Sequence, residues 1–277
     1  ERWCHAFQQI DDSSWIILNN MILKQLPLAG TEQLPNDYVD KAKGFIYRLN
    51  EIQKDEEMPK VTTQVPNLGS VQADYECWHL NFCEYYIGST ARIKIMSALS
   101  PHTAREHENI AYAASKNPSF RLPQVLSHGE RDGMYFILTD MPGIPRHRSS
   151  KSFTFGSEMR MRRQLIDIVA EISQWEGPSF GGVGGKQITR SRAFWNLMPS
   201  ELLDTDLTPT DSVALFLKKS GFDMNDCRFL NASMRHGNHL VDDDLNFVGF
   251  RDWDHCAFVP RGFITPHVLE EFALVNR

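Results

Sequence analysis

Apolar positions come in two textures along the 277 residues. Before residue 60 they recur three and four apart: Val39, Ala42, Phe45, Ile46, Leu49 and Ile52 make one stripe, which predicts a helix over about 37–52. A second helix is expected over 14–26. Residues 59–73, with Pro66 and Gly69 and few large apolar side chains, read as a linker. From residue 78 the texture shortens. The β-prone runs 82–87 and 91–96 flank Gly88-Ser89-Thr90, a hairpin signal, and 135–140 is a strand stopped by Met141-Pro142-Gly143. A helix is expected over 105–114. The stripe Met161, Leu165, Ile168, Val169, Ile172 and Trp175 predicts a long helix over 158–175, and a shorter one over 211–219 ends at Gly221. The runs 240–241 and 247–250 make a second hairpin around Asp242-Asp243-Asp244.

A chain of this length can bury a full core, and 42% hydrophobic with 23% charged residues is ordinary for a globular protein. The formal net charge of −6 argues against a general nucleic-acid surface, which needs a concentrated basic patch. No apolar run approaches the roughly 20 residues of a membrane span. Five cysteines, Cys4, Cys77, Cys83, Cys227 and Cys256, are an odd number without C-x-x-C spacing, so a reducing, cytoplasmic setting is expected.

The candidate chemistry lies in the last fifty residues. Asn231-Ala-Ser-Met-Arg-His-Gly-Asn238 is followed by His239-Leu-Val-Asp-Asp-Asp244 and, after a short apolar run, by Arg251-Asp-Trp-Asp254. This spacing resembles the aminoglycoside phosphotransferase and choline kinase-like family, closest to its fungal-type branch, in which a His-x-Asp-x4-Asn loop and a hairpin lead into Ile-Asp-Trp-Glu. Asn238 and Asp252 match the family's metal-binding Asn and Asp. Ser233 stands where the catalytic Asp belongs and Asn231 where the His belongs. The resemblance implies an α+β, two-lobed protein-kinase-like fold. Its small β-rich N-lobe would span 74–143 and its helical C-lobe 144–277, behind an N-terminal helical extension and linker over 1–73. It also implies ATP and Mg²⁺ as cofactors, a small-molecule substrate between the lobes, Lys94 over the nucleotide phosphates and Glu106 orienting that lysine.

Ser233 departs from this pattern at the reacting centre, because a serine hydroxyl is far too weak a base to replace a carboxylate. His236 is an alternative base. Gly181-Gly-Val-Gly-Gly-Lys186 lacks the leading Gly and the following Ser or Thr of a phosphate loop, and reads as a structural turn. A transition-metal site could draw on His236, His239, His255, Asp252, Asp254 and Cys256, though His-x-x-His on a turn is not the spacing of a helical zinc pair. Three functional classes stay open: a slow or altered ATP-dependent phosphotransferase, a kinase fold repurposed for cyclase- or isomerase-type chemistry, and a pseudokinase-like binding protein.

Overall fold

A computed structural model describes residues 7–53, 57–61, 71–74, 82–97, 100–189, 207–234 and 236–264, with 71–74 and His236 described by backbone only. Cys4, Cys77, the His236 side chain and most of the expected linker lie outside the described residues. The chain divides into two compact units: Glu1–Leu99 with Gln124–Met141, and Ser100–Pro123 with Pro142–Arg277. The expected α+β class is what the elements form.

The first unit holds two antiparallel five-stranded sheets. The first comprises β1 (Phe7–Asp11), β2 (Ser14–Ile17), β3 (Met21–Pro27), β4 (Tyr38–Asp40) and β5 (Phe45–Glu51), ordered β1-β2-β3-β5-β4. This corrects the helical N-terminal extension: both helices expected there are strands. Two turns account for the difference. Leu18 and Asn19 have φ of 51° and 61°, and Gly44 has φ of 74°, left-handed conformations that a continuous right-handed helix cannot hold. The three-and-four spacing across 39–52 is produced by two strands folded back on each other, with Val39 on β4 paired to Ile46 on β5.

The second sheet contains β6 (Val71–Asp74), β7 (Phe82–Ile87), β8 (Ala91–Ser97), β9 (Gln124–Arg131) and β10 (Met134–Asp140), ordered β6-β7-β8-β10-β9. The β7–β8 hairpin closes through Ile87 paired with Ala91, as the sequence predicts. β9 was not expected, since Gln124, Ser127, His128, Gly129 and Glu130 obscure its alternation; it is an edge strand, where polar residues are tolerated. Phe7, Trp15, Ile17 and Leu23 from the first sheet share one core with Ile87, Ile93, Ile95, Phe136 and Leu138 from the second. Because side chains alternate along a strand, Ile93 and Ile95 face this core while Arg92 and Lys94 face away from it.

The second unit contains α1 (Glu106–Ser115), α2 (Phe155–Ile172), α3 (Pro209–Lys219) and two antiparallel three-stranded sheets. One sheet is β11 (Ile144–Pro145), β14 (His239–Val241) and β15 (Phe247–Phe250); the other is β12 (Glu176–Gly177), β13 (Cys227–Asn231) and β16 (Cys256–Pro260). α2 starts ahead of the predicted position because the Thr154 hydroxyl accepts the Ser157 amide and caps the helix. Met161, Leu165, Ile168 and Ile172 form its buried stripe, as expected.

Candidate functional site

Two strand pairings build the site in the second unit. Asn231, the last residue of β13, pairs with Cys256, the first of β16, so the segments following Asn231 and preceding Cys256 run side by side. His239 pairs with Phe250 in the β14–β15 hairpin, which sets Asn238 beside Arg251. Asn231, Ser233, Asn238 and Asp252 are thereby brought together, and all are buried.

Their hydrogen bonds form one network. Asn231 Oδ1 accepts the Ser233 amide at 2.8 Å, and its Nδ2 donates to the Asp252 carbonyl at 2.9 Å. Asn238 Nδ2 donates to the Ser233 carbonyl at 3.0 Å, while its Oδ1 accepts Arg251 Nε at 3.0 Å. Each side-chain amide meets a donor on one side and an acceptor on the other, so its orientation is fixed by chemistry: reversing Asn238 would set Nδ2 against the guanidinium N–H. The ladder continues through Ala232 N to His255 O at 2.9 Å, and His239 Nε2 contacts the Met234 carbonyl at 2.8 Å. Ser233 is therefore held on both sides, its amide by Asn231 and its carbonyl by Asn238.

α1 supplies the second support. Glu106 and Asn109, three residues apart and so on one helix face, grip the peptide groups of Trp253: Glu106 Oε1 accepts its amide at 3.3 Å and Asn109 Nδ2 donates to its carbonyl at 2.7 Å. Trp253 is fully buried, stacks on Phe120 with ring centroids 6.2 Å apart, and donates from Nε1 to the Phe250 carbonyl. The segment carrying Asp252 and Asp254 is thus anchored from its middle residue. Asn109 and Arg251 were not singled out as site residues from the sequence, whereas Asp254 was weighed there as a metal ligand. An asparagine one turn after Glu106 on an otherwise apolar helix face was the available signal for the first of them.

A divalent ion held by Asn238 and Asp252 is not a good fit. The Asn238 carbonyl already accepts from a guanidinium, and Mg²⁺ binds oxygen at about 2.0–2.1 Å. An ion on the same oxygen would stand roughly 5 Å or less from Arg251, a repulsion of about 7 kcal/mol at an effective dielectric of 20 that neighbouring carboxylates would have to offset. Asp252, Asp254 and His255 do offer ligand atoms that all lie within 4.8 Å of one another. His239 is committed to the Met234 carbonyl, and Cys256 is buried beside Asp254, Asp252 and Glu106. Burial first, and then those carboxylates, push the Cys256 thiol well above its ordinary range, so it is neither a nucleophile nor a ready thiolate ligand.

Lys94 belongs to the first unit. It is fully buried on β8, in register with Glu84 on β7, and its ammonium lies 4.7 Å from the centre of the Phe82 ring. Glu84 also accepts from Arg92 Nη1 at 3.1 Å, so this face of the sheet carries two cations and a carboxylate. The Gly88-Ser89-Thr90 turn is engaged elsewhere. The Tyr38 hydroxyl accepts the Ser89 and Thr90 amides at 3.2 and 2.9 Å, Ser89 Oγ donates to Asp40, and Thr90 Oγ1 donates to Asp140 at 2.7 Å. With the Ser89 and Thr90 amides occupied and two carboxylates beside it, this turn joins the two sheets and is poorly suited to cradling phosphate. The glycine turn at 181–185 is structural too: Lys186 Nζ pairs with Glu108 Oε1 at 2.5 Å, and the Gly182 amide donates to the Lys186 carbonyl at 2.7 Å.

No protein-family profile and no curated protein sequence matches the chain. Among solved structures it is similar to a protein from Haemophilus somnus 129PT assigned as a fructosamine-3-kinase, with 15% identity over 69% of this chain and 67% of that one and a TM-score of 0.44. It is also similar to the macrolide 2'-phosphotransferase MphH from Brachybacterium faecium, with 12% identity over 75% and 77% and a TM-score of 0.42. APH(2")-IIa in its streptomycin–ATP ternary complex aligns at 8% identity over 73% and 71%, with a TM-score of 0.42.

Proposed function

We propose that this chain is a protein-kinase-like, phosphotransferase-like protein that binds a phosphate-bearing small molecule, with ATP the first ligand to test, and whose transfer step is impaired at position 233. The observation that carries this reading is the buried Asn231–Ser233–Asn238–Asp252 network, which fixes these residues relative to one another while offering a hydroxyl where the family resemblance places a carboxylate. A network of satisfied amides suits ligand positioning. A serine hydroxyl does not suit proton abstraction, and its use in place of a carboxylate base costs about 10²- to 10⁴-fold in rate. Phosphoryl transfer depends mainly on positioning and electrostatics, so slow turnover is compatible with the site.

Two measurements test the reading. Saturating ATP at about 100 times its Kd should stabilise the native chain by about 2.7 kcal/mol in thermal unfolding, and the absence of any shift would sink it. Ser233→Asp should then raise ATP turnover by about 10²-fold or more, by supplying the missing base. The Arg251–Asn238 contact favours a second reading, a pseudokinase-like binding protein, which predicts ATP binding but no turnover in either the native chain or the Ser233→Asp variant.

A further inference from the structure

Arg251 stands at the one point where the site departs from its resemblance by gaining a charge. The family pattern places an apolar residue directly before the metal-binding aspartate; here that position is an arginine, buried and tied to Asn238 twice. Its backbone amide donates to the Asn238 carbonyl at 2.9 Å and its Nε to Asn238 Oδ1 at 3.0 Å. Asn238 Nδ2 donates to the Ser233 carbonyl, so Asn238 links the arginine to the loop. The pairing of His239 with Phe250 holds these two residues in register, which makes the contact a product of the hairpin and not of a freely rotating surface side chain.

We propose that the Arg251 guanidinium is the resident cation of this site, taking Asn238 Oδ1 in place of a metal ion, so that Asn238 is a positioning residue for the loop that carries Ser233 and not a metal ligand. Any divalent ion the second unit takes up is held without Asn238, by carboxylates of the Asp252–Asp254 segment. The proposal rests on the phosphotransferase-like reading only for the expectation that a metal belongs at Asn238; the contact itself does not depend on ATP.

The test uses the full chain and Mn²⁺ alone, followed by its electron paramagnetic resonance signal, so no nucleotide or turnover enters the readout. In the native chain Asn238→Ala should leave Mn²⁺ affinity within about twofold, because no ligand is lost. Arg251→Met should raise that affinity by at least about tenfold, since it frees the carbonyl and removes a positive charge, and the gain should vanish in the Arg251→Met/Asn238→Ala double variant. Circular dichroism and a cooperative melt show which variants are folded. If Arg251→Met disrupts folding, Arg251→Gln takes its place: it removes the charge while keeping a polar side chain, and a gain in Mn²⁺ affinity is again expected. A tenfold loss on Asn238→Ala in the native chain, or no gain in a folded Arg251 variant, would overturn the proposal. Failure of ATP to stabilise the protein would refute the proposed function and leave the Mn²⁺ result standing.

Discussion

The departures that matter act through single side chains, and Asn231 shows how much one of them carries. It satisfies a buried amide on Ser233 and a buried carbonyl on Asp252 at once, joining two segments 21 residues apart. Truncating it leaves both groups without their partner in a site that excludes water, and each orphaned group costs about 1–3 kcal/mol. Asn231→Ala is therefore expected to lower stability by about 2–5 kcal/mol in urea denaturation. Asn231→Asp keeps the acceptor for Ser233 but buries a carboxylate oxygen against the Asp252 carbonyl, so it should be no more stable than the alanine variant at pH 7. Equal stability for Asn231→Ala and the native chain would mean that water replaces both bonds. The reactive-looking sulfur nearby is inert by the same local logic, because burial and three carboxylates hold the Cys256 thiol protonated.

Among the elements, the first sheet and the turn it touches repay the closest comparison with the sequence. The site loops were legible because their meaning lies in the spacing of polar residues: Asn231, Ser233, Asn238 and Asp252 were placed by counting, and the structure puts them in one network. The N-terminal strands were not, because Leu18, Asn19 and Gly44 reverse the chain inside apolar runs whose spacing imitates a helix. Arg251 was visible in the sequence, but its contact with Asn238 follows from a hairpin register that residue types alone do not reveal. The sheet joint also yields a pH prediction. Asp140 is raised above its ordinary value by burial and by the neighbouring Asp40 charge, against the lowering effect of the Thr90 hydroxyl. Tyr38 and Ser89 face the same joint, and Lys43 reaches the Gly88 carbonyl. A carboxyl with a raised folded-state pKa binds its proton more tightly in the native state, so its contribution to stability is full below the unfolded value of about 4 and is lost as pH rises through the folded value. Asp140→Asn removes that ionisation and keeps an acceptor for Thr90. Its urea midpoint should exceed that of the native chain at pH 7, with the gap closing toward about pH 4. A gap of the same size at both pH values would show that ionisation of the buried Asp140 carboxyl is not its source.

On the scale of the whole molecule, the first unit is the part whose organisation departs furthest from the sequence reading, and its core defines what should unfold together. Segments expected to be a helical appendage are strands whose inward residues Phe7, Trp15, Ile17 and Leu23 sit in one cluster with Ile93, Ile95 and Phe136 of the second sheet. Since the same side chains close both sheets, neither has an apolar face of its own to retain if the other opens. Cooperative units follow shared burial and not chain order, so β1–β5 and β7–β10 are expected to exchange their amide hydrogens as one unit. Leu23→Ala tests this from the side of the first sheet, because Leu23 is fully buried and the truncation leaves a cavity costing about 2–5 kcal/mol. Hydrogen exchange under native conditions should then speed up by a similar factor in β3 and β5 and in β8 and β10, although Leu23 lies on none of the last three strands. Faster exchange confined to β1–β5 would show instead that the N-terminal sheet opens as a separate layer, and that β7–β10 keep their core without it.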